Sequence, residues 1–236
     1  MRVGLIADVH ANLPALESVW ADMPAVDSVV CAGDVVGYNP WPAECVERVR
    51  EIADAVVVGN HDRTVERPHE YAANRMAEAG LEHANRELTD AQREWLADRP
   101  RSVTVADGDL LVVHDHPTIQ DKYVYPSEFP ALRRHLDDYR GLVLGHTHVQ
   151  HRETVDGRVI VNPGSVGQPR DGDPRAAYAV LETDANAEGS NSGDESPPEP
   201  MTVDLHRVEY DVDRVVDRIA DVGLPERTGS RLRKGE

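Results

Sequence analysis

The chain has 236 residues, and its 43 acidic residues outnumber its 25 basic ones to give a formal net charge of −18. Hydrophobic residues make up 40 % of it, which is enough for one sizeable core and excludes a disordered acidic polymer. Only Lys122 and Lys234 are lysines, and acid is spread along the whole chain. We therefore favour adaptation to high salt over an acidic interaction tail, with ordinary surface acidity as the alternative.

The apolar runs are short, such as 55–58 and 110–113, whereas a membrane-spanning helix needs ~18 apolar residues. The N-terminal apolar stretch 3–7 ends at Asp8, which is too soon for the signal-peptide core of roughly 7–15 residues. We therefore expect no membrane partner and a cytoplasmic location.

Short apolar runs alternate with helical patterns through the first part of the chain. Strands are predicted at 3–7, 28–32 and 55–58, and helices at 13–23 and 42–53. This alternation is typical of an α/β domain whose strands are buried on both faces.

Helical patterning continues over 71–98, with Thr89 as the N-cap of the second helix, and we expect this stretch to be an insertion over the strand ends. The later predicted strands are 102–105, 109–114, 142–145, 150–155, 158–161, 176–182 and 202–210. The later predicted helices are 127–139 and 211–222.

We predict one domain over 1–223. Residues 185–200 are rich in Ser, Gly, Pro and acid, so we expect a disordered acidic loop insertion there. Residues 224–236 are mostly polar, and we expect a flexible tail.

Polar side chains follow five of the predicted strands at the point where each strand ends. Asp8 and His10 follow the first strand, Asp34 the second, and Asn60 with His61 the third. Two later strands end at His114 and at the sequence Gly-His-Thr-His of 145–148. Ligands of open α/β sheets bind at the carboxyl ends of strands, so these side chains are expected to meet at one place.

Asp, Asn and His are metal-ligand types, and two residues separated by one in an extended segment project to the same side. A single Asp after a strand is more often a turn residue than a metal ligand, and a single His is more often a surface residue than a metal ligand. Five strand ends carrying such residues in order are hard to explain as coincidence. The pattern therefore predicts a metal site.

The order DxH, GD, GNHD, H and GHTH resembles the calcineurin-like metallophosphoesterase superfamily, and Asn-Pro-Gly-Ser at 162–165 is similar to its small prokaryotic phosphodiesterase branch. The resemblance extends over most of the chain. It implies a four-layer αββα sandwich in which two mixed β-sheets are flanked by helices.

The resemblance also implies two divalent metal ions. Their ligands would be Asp8, His10 and His148 for one ion, Asn60, His114 and His146 for the other, and Asp34 as a bridge between them. A water molecule between the ions would be the nucleophile. Mixed Asp, Asn and His ligands suit Mn²⁺, Fe²⁺, Zn²⁺ or Ni²⁺ more than Ca²⁺, and we favour Mn²⁺.

His61 resembles the catalytic histidine of the family, which stabilises phosphoryl charge or protonates the leaving oxygen; packing alone is the alternative. Phosphoprotein-phosphatase relatives orient this histidine with an Asp where this chain has Gly37. Asp62 is the nearest residue in sequence that could orient His61 in its place, but Asp62 could equally cap a turn.

Asn12 and Arg170 are candidates for contacts with substrate phosphate, although Asn12 is equally suited to cap a helix.

The function that we expect is hydrolysis of a small phosphodiester or phosphomonoester. A nuclease of the same superfamily is the first alternative, but a −18 chain without a basic stripe makes nucleic acid a poor partner. A non-catalytic metal-binding scaffold is the second alternative. A scaffold predicts loss of the histidine in the GNH motif, and His61 is present. The sequence does not indicate which substrate the protein acts on or its oligomeric state.

Overall fold

The computed structural model describes residues 1–183 and 201–236, so the loop predicted at 185–200 lies outside the described residues. The strands are β1 (Arg2–Ile6), β2 (Ser28–Cys31), β3 (Ala55–Val56), β4 (Ser102–Val105), β5 (Leu110–Val113), β6 (Gly141–Val143), β7 (His151–Val155), β8 (Arg158–Asn162), β9 (Ala176–Glu182) and β10 (Thr202–Val208). The helices are α1 (Leu13–Asp22), α2 (Pro42–Ile52), α3 (Asn60–Thr64), α4 (Arg75–Glu87), α5 (Asp90–Ala97), α6 (Phe129–Leu132), α7 (Val212–Asp221) and α8 (Glu226–Leu232). The predicted strands are all present, and their ends differ by a residue or two.

The strands form two mixed five-stranded sheets. The first has the order β10-β9-β1-β2-β3, with β1, β2 and β3 parallel and β9 antiparallel to both of its neighbours. The second has the order β4-β5-β6-β8-β7, with β5, β6 and β8 parallel and an antiparallel strand at each edge. The parallel strands of each sheet therefore end at a common edge.

The two sheets pack face to face and carry helices on their outer faces. Val3 and Leu5 of β1 meet Val112 and Val161 of the second sheet in the core between the sheets. A second cluster packs α1, α2 and α7 on the outside of the first sheet, and a third packs α6 on the outside of the second. The architecture is the predicted αββα sandwich.

The prediction of a single helix over 127–139 is wrong. The structure has only α6 there, between 3₁₀ turns at Pro126–Glu128 and Arg133–His135. Pro130 lacks a backbone N–H, and its ring would collide with a carbonyl one turn earlier, so a helix can only begin just before it.

The flexible tail predicted at 224–236 differs from the structure, in which α8 packs against α7. Leu232 of α8 is buried, and Gly229 lies so close to Val216 that an added Cβ would stand 3.1 Å from its Cγ2. Leu232 is the one large apolar side chain in 226–236, so this stretch has no helical apolar pattern, which explains the failed prediction.

Within the described ranges, no helix is long and apolar enough to cross a membrane.

Candidate metal centre

The side chains predicted as ligands converge where the parallel strands of both sheets end. Asp8 and His10 follow β1, Asp34 follows β2, and Asn60 begins α3 after β3. From the second sheet, His114 follows β5, while His146 and His148 follow β6. All of them are buried.

An unusual backbone conformation directs several of these side chains toward one another. Positive φ angles between 45° and 69° occur at Asp8, His10, Asp34, His146 and His148. A residue with a Cβ adopts this left-handed conformation at a cost of about 1 kcal/mol or more, and such residues gather at functional sites.

One cluster consists of Asp8, His10 and His148. The Nε2 atoms of the two histidines are 3.0 Å apart, and Asp8 Oδ1 lies 3.9 Å from His10 Nε2 and 3.4 Å from His148 Nε2. These three residues could hold a metal ion together.

A second cluster consists of Asp34, His114 and His146, with Asn60 beside it. His114 Nε2 lies 2.9 Å from Asn60 Oδ1 and 3.4 Å from Asp34 Oδ2. Asp34 Oδ2 is also 3.6 Å from His10 Nε2 of the first cluster, so this carboxylate stands between the two clusters.

Backbone carbonyls fix the orientation of three of the imidazoles. The Nδ1 atoms of His10, His114 and His148 lie 2.6 to 3.0 Å from the carbonyl oxygens of Val36, Ala32 and Gln168. Nδ1–H therefore donates to the carbonyl and leaves the Nε2 lone pair facing the clusters, which is the arrangement of metal-ligating histidines.

The donor set fits divalent metal ions. Two Nε2 lone pairs that face each other at 3.0 Å, those of His10 and His148, repel unless a proton or a cation lies between them. His146 Nε2 is buried and has no hydrogen-bond partner in the part of the chain that the structure describes. Nitrogen and carboxylate donors in this mixture are typical ligands of first-row transition metals.

Burial sets the protonation of most imidazoles at the site. It lowers the pKa of His146 to about 4 and that of His10 and His148 well below the usual value. These rings are neutral at pH 7, which is the form that binds metal.

The carboxylates and His114 behave differently. Burial raises the pKa of Asp8 to about 7. Burial is the largest single effect on Asp34 and His114 and opposes charge on both, but the surrounding charges and hydrogen bonds together outweigh it, first among them the attraction of the two groups for each other. The pKa of Asp34 is held well below its usual value, and that of His114 is raised to about 10. Positive charge is thus favoured next to Asp34.

His61 lies against the clusters without belonging to the proposed ligand set. Its backbone N–H donates to Asp34 Oδ1 at 2.8 Å, and its ring packs within 4.9 Å of the rings of His10, Tyr38 and Tyr71. Its Nδ1 is buried and has no partner, and burial lowers its pKa to about 4. The described residues thus supply no carboxylate that orients this ring.

Asp62 serves the loop that carries Asp34 and does not orient His61. Its carboxylate accepts hydrogen bonds from the backbone N–H groups of Val35, Val36 and Gly59 at 2.8 to 3.1 Å. Of the two roles left open for Asp62, the structure favours the cap.

Of the two residues predicted to contact substrate phosphate, Asn12 is already engaged in hydrogen bonds within the protein. Asn12 Oδ1 caps α1 by accepting from the N–H of Ala15 at 3.2 Å, and its Nδ2 donates to Gly167 O at 3.0 Å. Arg170 is available, because among the described residues its Nη2 contacts only Gln168 Oε1 and the Tyr38 hydroxyl, and its buried Nε has no partner.

Sequence reasoning missed three tyrosines of the site. The Tyr71 hydroxyl accepts from Asn60 Nδ2, which fixes the amide so that Oδ1 faces His114. Tyr123 stacks on His146 with ring centroids 4.0 Å apart, and Tyr38 packs on His10 and His61. These tyrosines lie outside the motifs, so only the position of Tyr38 beside Gly37 could have suggested a role.

Comparison with known proteins identifies the class to which this geometry belongs. Residues 1–186 match the calcineurin-like phosphoesterase superfamily domain. The chain therefore belongs to the calcineurin-like phosphoesterase superfamily, as the motifs predict.

Three relatives show how far the similarity extends. A crystal structure of a metallophosphoesterase from Sphaerobacter thermophilus is 36% identical, with a TM-score of 0.81 and 100% of both chains covered. The Methanocaldococcus jannaschii protein MJ0912 is 27% identical over 250 residues, covering 98% of this chain and 96% of that protein. Phosphodiesterase YfcE of Escherichia coli K12 is 29% identical over 196 residues, covering 78% of this chain and 89% of YfcE.

Proposed function

We propose that this protein is a dinuclear metal-dependent phosphodiesterase that acts on small phosphate esters. The observation that carries the proposal is the position of Asp34 Oδ2, 3.6 Å from His10 Nε2 in one cluster and 3.4 Å from His114 Nε2 in the other. A carboxylate between two sets of ligands is suited to bridge two cations. Membership of the phosphoesterase superfamily and similarity to the phosphodiesterase YfcE support the reaction class.

The proposed ligands of the first ion are Asp8, His10 and His148. Those of the second are Asn60, His114 and His146, with Asp34 shared. When bound, the ions would neutralise phosphate charge and activate water as a nucleophile. We favour Mn²⁺ among the metals that suit such donors.

We assign His61 the role of proton donor to the substrate. Its ring is buried beside Asp34, and one of its ring nitrogens lies within 4.8 Å of ligand atoms of His10 and Asp34. Burial lowers its pKa to about 4, whereas the negative charge of a bound phosphate favours the protonated ring. His61 then stabilises phosphoryl charge and protonates the leaving oxygen.

Arg170 is the proposed contact for the phosphate oxygens. Its guanidinium is held by Gln168 Oε1 at 2.7 Å and the Tyr38 hydroxyl at 3.2 Å, and it lies 5.5 Å from the centroid of the Tyr38 ring. Arginine binds phosphate through paired N–H donors, so a guanidinium fixed in this way orients a small ester.

The test is hydrolysis by protein stripped with EDTA and reloaded with Mn²⁺, Fe²⁺, Zn²⁺ or Ni²⁺ in molar KCl. Substrates are bis(p-nitrophenyl) phosphate, p-nitrophenyl phosphate and cyclic nucleotides. We expect metal-dependent hydrolysis that Asp34→Asn removes and that Arg218→Gln, at an exposed position on α7, retains. Absence of hydrolysis with every metal, or wild-type rates in Asp34→Asn, would overturn the proposal.

A further inference from the structure

Exposed apolar side chains gather in the loop that follows β5. Among the described residues, five large hydrophobic side chains are exposed, and three of them, Ile119, Tyr123 and Tyr125, lie in this loop. Tyr123 is 44% exposed and Tyr125 is 50% exposed. A local concentration of exposed apolar surface usually marks a place where another molecule binds.

The backbone of the segment 122–125 fixes the direction of the two tyrosines. Val124 between them is buried and packs into the cluster on the outside of the second sheet. Neighbouring side chains of an extended segment project to opposite sides, so Tyr123 and Tyr125 lie together on the outer side. Glu128 ties both ends of the segment, since its carboxylate pairs with Lys122 Nζ at 3.2 Å and accepts from the N–H of Tyr125 at 3.1 Å.

The tyrosine rings continue a stack that begins at a proposed metal ligand. The ring of Tyr123 lies nearly parallel to the imidazole of His146, with an interplanar angle of 17° and centroids 4.0 Å apart. The ring of Tyr125 lies 6.1 Å from that of Tyr123, with an angle of 16° between their planes. Both distances and angles are those of stacked aromatic pairs. The exposed aromatic surface is therefore continuous with the candidate metal centre.

The earlier part of the same loop is also held in place. The Asp121 carboxylate pairs with Arg63 of α3, and the Asp121 N–H donates to the Asp115 carboxylate. His116 Nδ1 accepts from the N–H of Ile119 at 3.3 Å. Because the loop is fixed before a ligand arrives, little conformational entropy is lost when a flat group lies on the tyrosines.

We propose that Tyr123 and Tyr125 form an aromatic platform that binds a planar aromatic group of the substrate, such as a nucleobase. The inference rests on the proposed function and narrows it to small phosphate esters that carry such a group. With the phosphate at the metal centre, the ring of the ester stacks on the platform. Every nucleobase has a face that can stack, so the platform selects aromatic esters without choosing among bases.

The test is calorimetric binding of phenylphosphonate and cyclohexylphosphonate to the Mn²⁺-loaded protein in molar KCl. The two anions differ only in their ring, which is planar and aromatic in the first, and their carbon–phosphorus bond resists hydrolysis. We expect the wild-type protein to bind phenylphosphonate about two- to tenfold more tightly, the usual effect of aromatic stacking beyond buried area. Tyr123→Leu and Tyr125→Leu should lose this preference, and Tyr123→Phe should keep it. Trp20→Leu, at an exposed aromatic position on α1, is the matched control and should also keep it.

Equal affinity of the wild-type protein for the two phosphonates, or binding of neither, would overturn the inference. A Tyr123→Leu variant that loses Mn²⁺ and binds both phosphonates less tightly in the wild-type ratio would show that Tyr123 only supports His146, which contradicts the platform. A change in sedimentation of Tyr125→Leu with the wild-type ratio would contradict it as well, by identifying an interface between copies of the chain.

Hydrolysis of p-nitrophenyl phosphate by the same wild-type preparation reports on the proposed function separately. If the ester is not hydrolysed, a preference for phenylphosphonate that both leucine variants lose still supports the platform. If the ester is hydrolysed and the wild-type protein shows no preference, the platform fails while the proposed function stands.

Discussion

The contact between Gly37 and His61 explains how the site holds its proposed proton donor. A Cβ on Gly37, whose φ is +101°, would lie 2.3 Å from His61 Nδ1. Any side chain at position 37 would therefore displace the His61 ring, so the carboxylate that phosphoprotein-phosphatase relatives have there is incompatible with this packing. The rings of Tyr38 and Tyr71 flank His61 and limit its rotation.

His61→Ala separates proton donation from metal binding. We expect turnover to fall by roughly 10²–10⁴-fold, the usual contribution of a positioned proton donor, while metal content stays at the wild-type value. The measurements are steady-state hydrolysis and metal analysis of the same preparation. His69→Ala, at an exposed position, is the matched control and is expected to behave as wild type. Wild-type turnover in His61→Ala would remove this residue from the chemistry.

The individual metal ligands can be predicted from the sequence, but the residues that hold these ligands in position cannot. Asp8, His10 and Asp34 stand directly after strands, so strand direction alone brings them together. Tyr71 reaches Asn60 across a turn, and the Asp62 carboxylate reaches Val35 from a different strand end. Contacts of this kind depend on how separate elements pack, which a pattern along the chain does not encode.

At the scale of elements, prediction succeeded where apolar periodicity was strong. The buried strands of both sheets are continuous apolar runs, and Thr89 caps α5 as expected by accepting from the N–H of Gln92. Prediction failed where one residue or a tertiary contact decides the outcome. Pro130 fixes where α6 begins, and α8 packs its buried Leu232 into the cluster that contains Val215 and Ile219 of α7.

Leu232→Ala tests whether α8 is part of the folded domain. Because Leu232 is 1% exposed, its truncation should lower the free energy of unfolding by about 2–5 kcal/mol. Lys234→Ala, an exposed neighbour, should change it by less than about 0.5 kcal/mol. Urea denaturation measures both, and an equal, negligible effect in the two variants would indicate a frayed tail.

At the scale of the whole molecule, the charge of −18 opposes compaction at low salt. Raising the ionic strength from 0.1 M to 1 M shortens the Debye length from about 10 Å to about 3 Å, which screens repulsion between surface carboxylates. We therefore expect the thermal unfolding midpoint to rise with KCl, by about 2–4 °C for each kcal/mol of repulsion removed.

Differential scanning calorimetry across a KCl series measures this effect, and a sucrose series of equal osmolality controls for general solute exclusion. A midpoint that stays constant or falls as KCl increases would contradict salt adaptation. The same charge distribution bears on substrate choice, since a strongly anionic surface disfavours nucleic acid and leaves small phosphate esters as the substrates that we propose.

The most direct test of the central claim is the number of metal ions bound per chain. Equilibrium dialysis of EDTA-stripped protein against Mn²⁺, followed by metal analysis, should give two ions per wild-type chain, because Asp34 lies between two clusters of ligands. Asp34→Asn should bind fewer. A wild-type stoichiometry of one or none at saturating Mn²⁺ would contradict the dinuclear site.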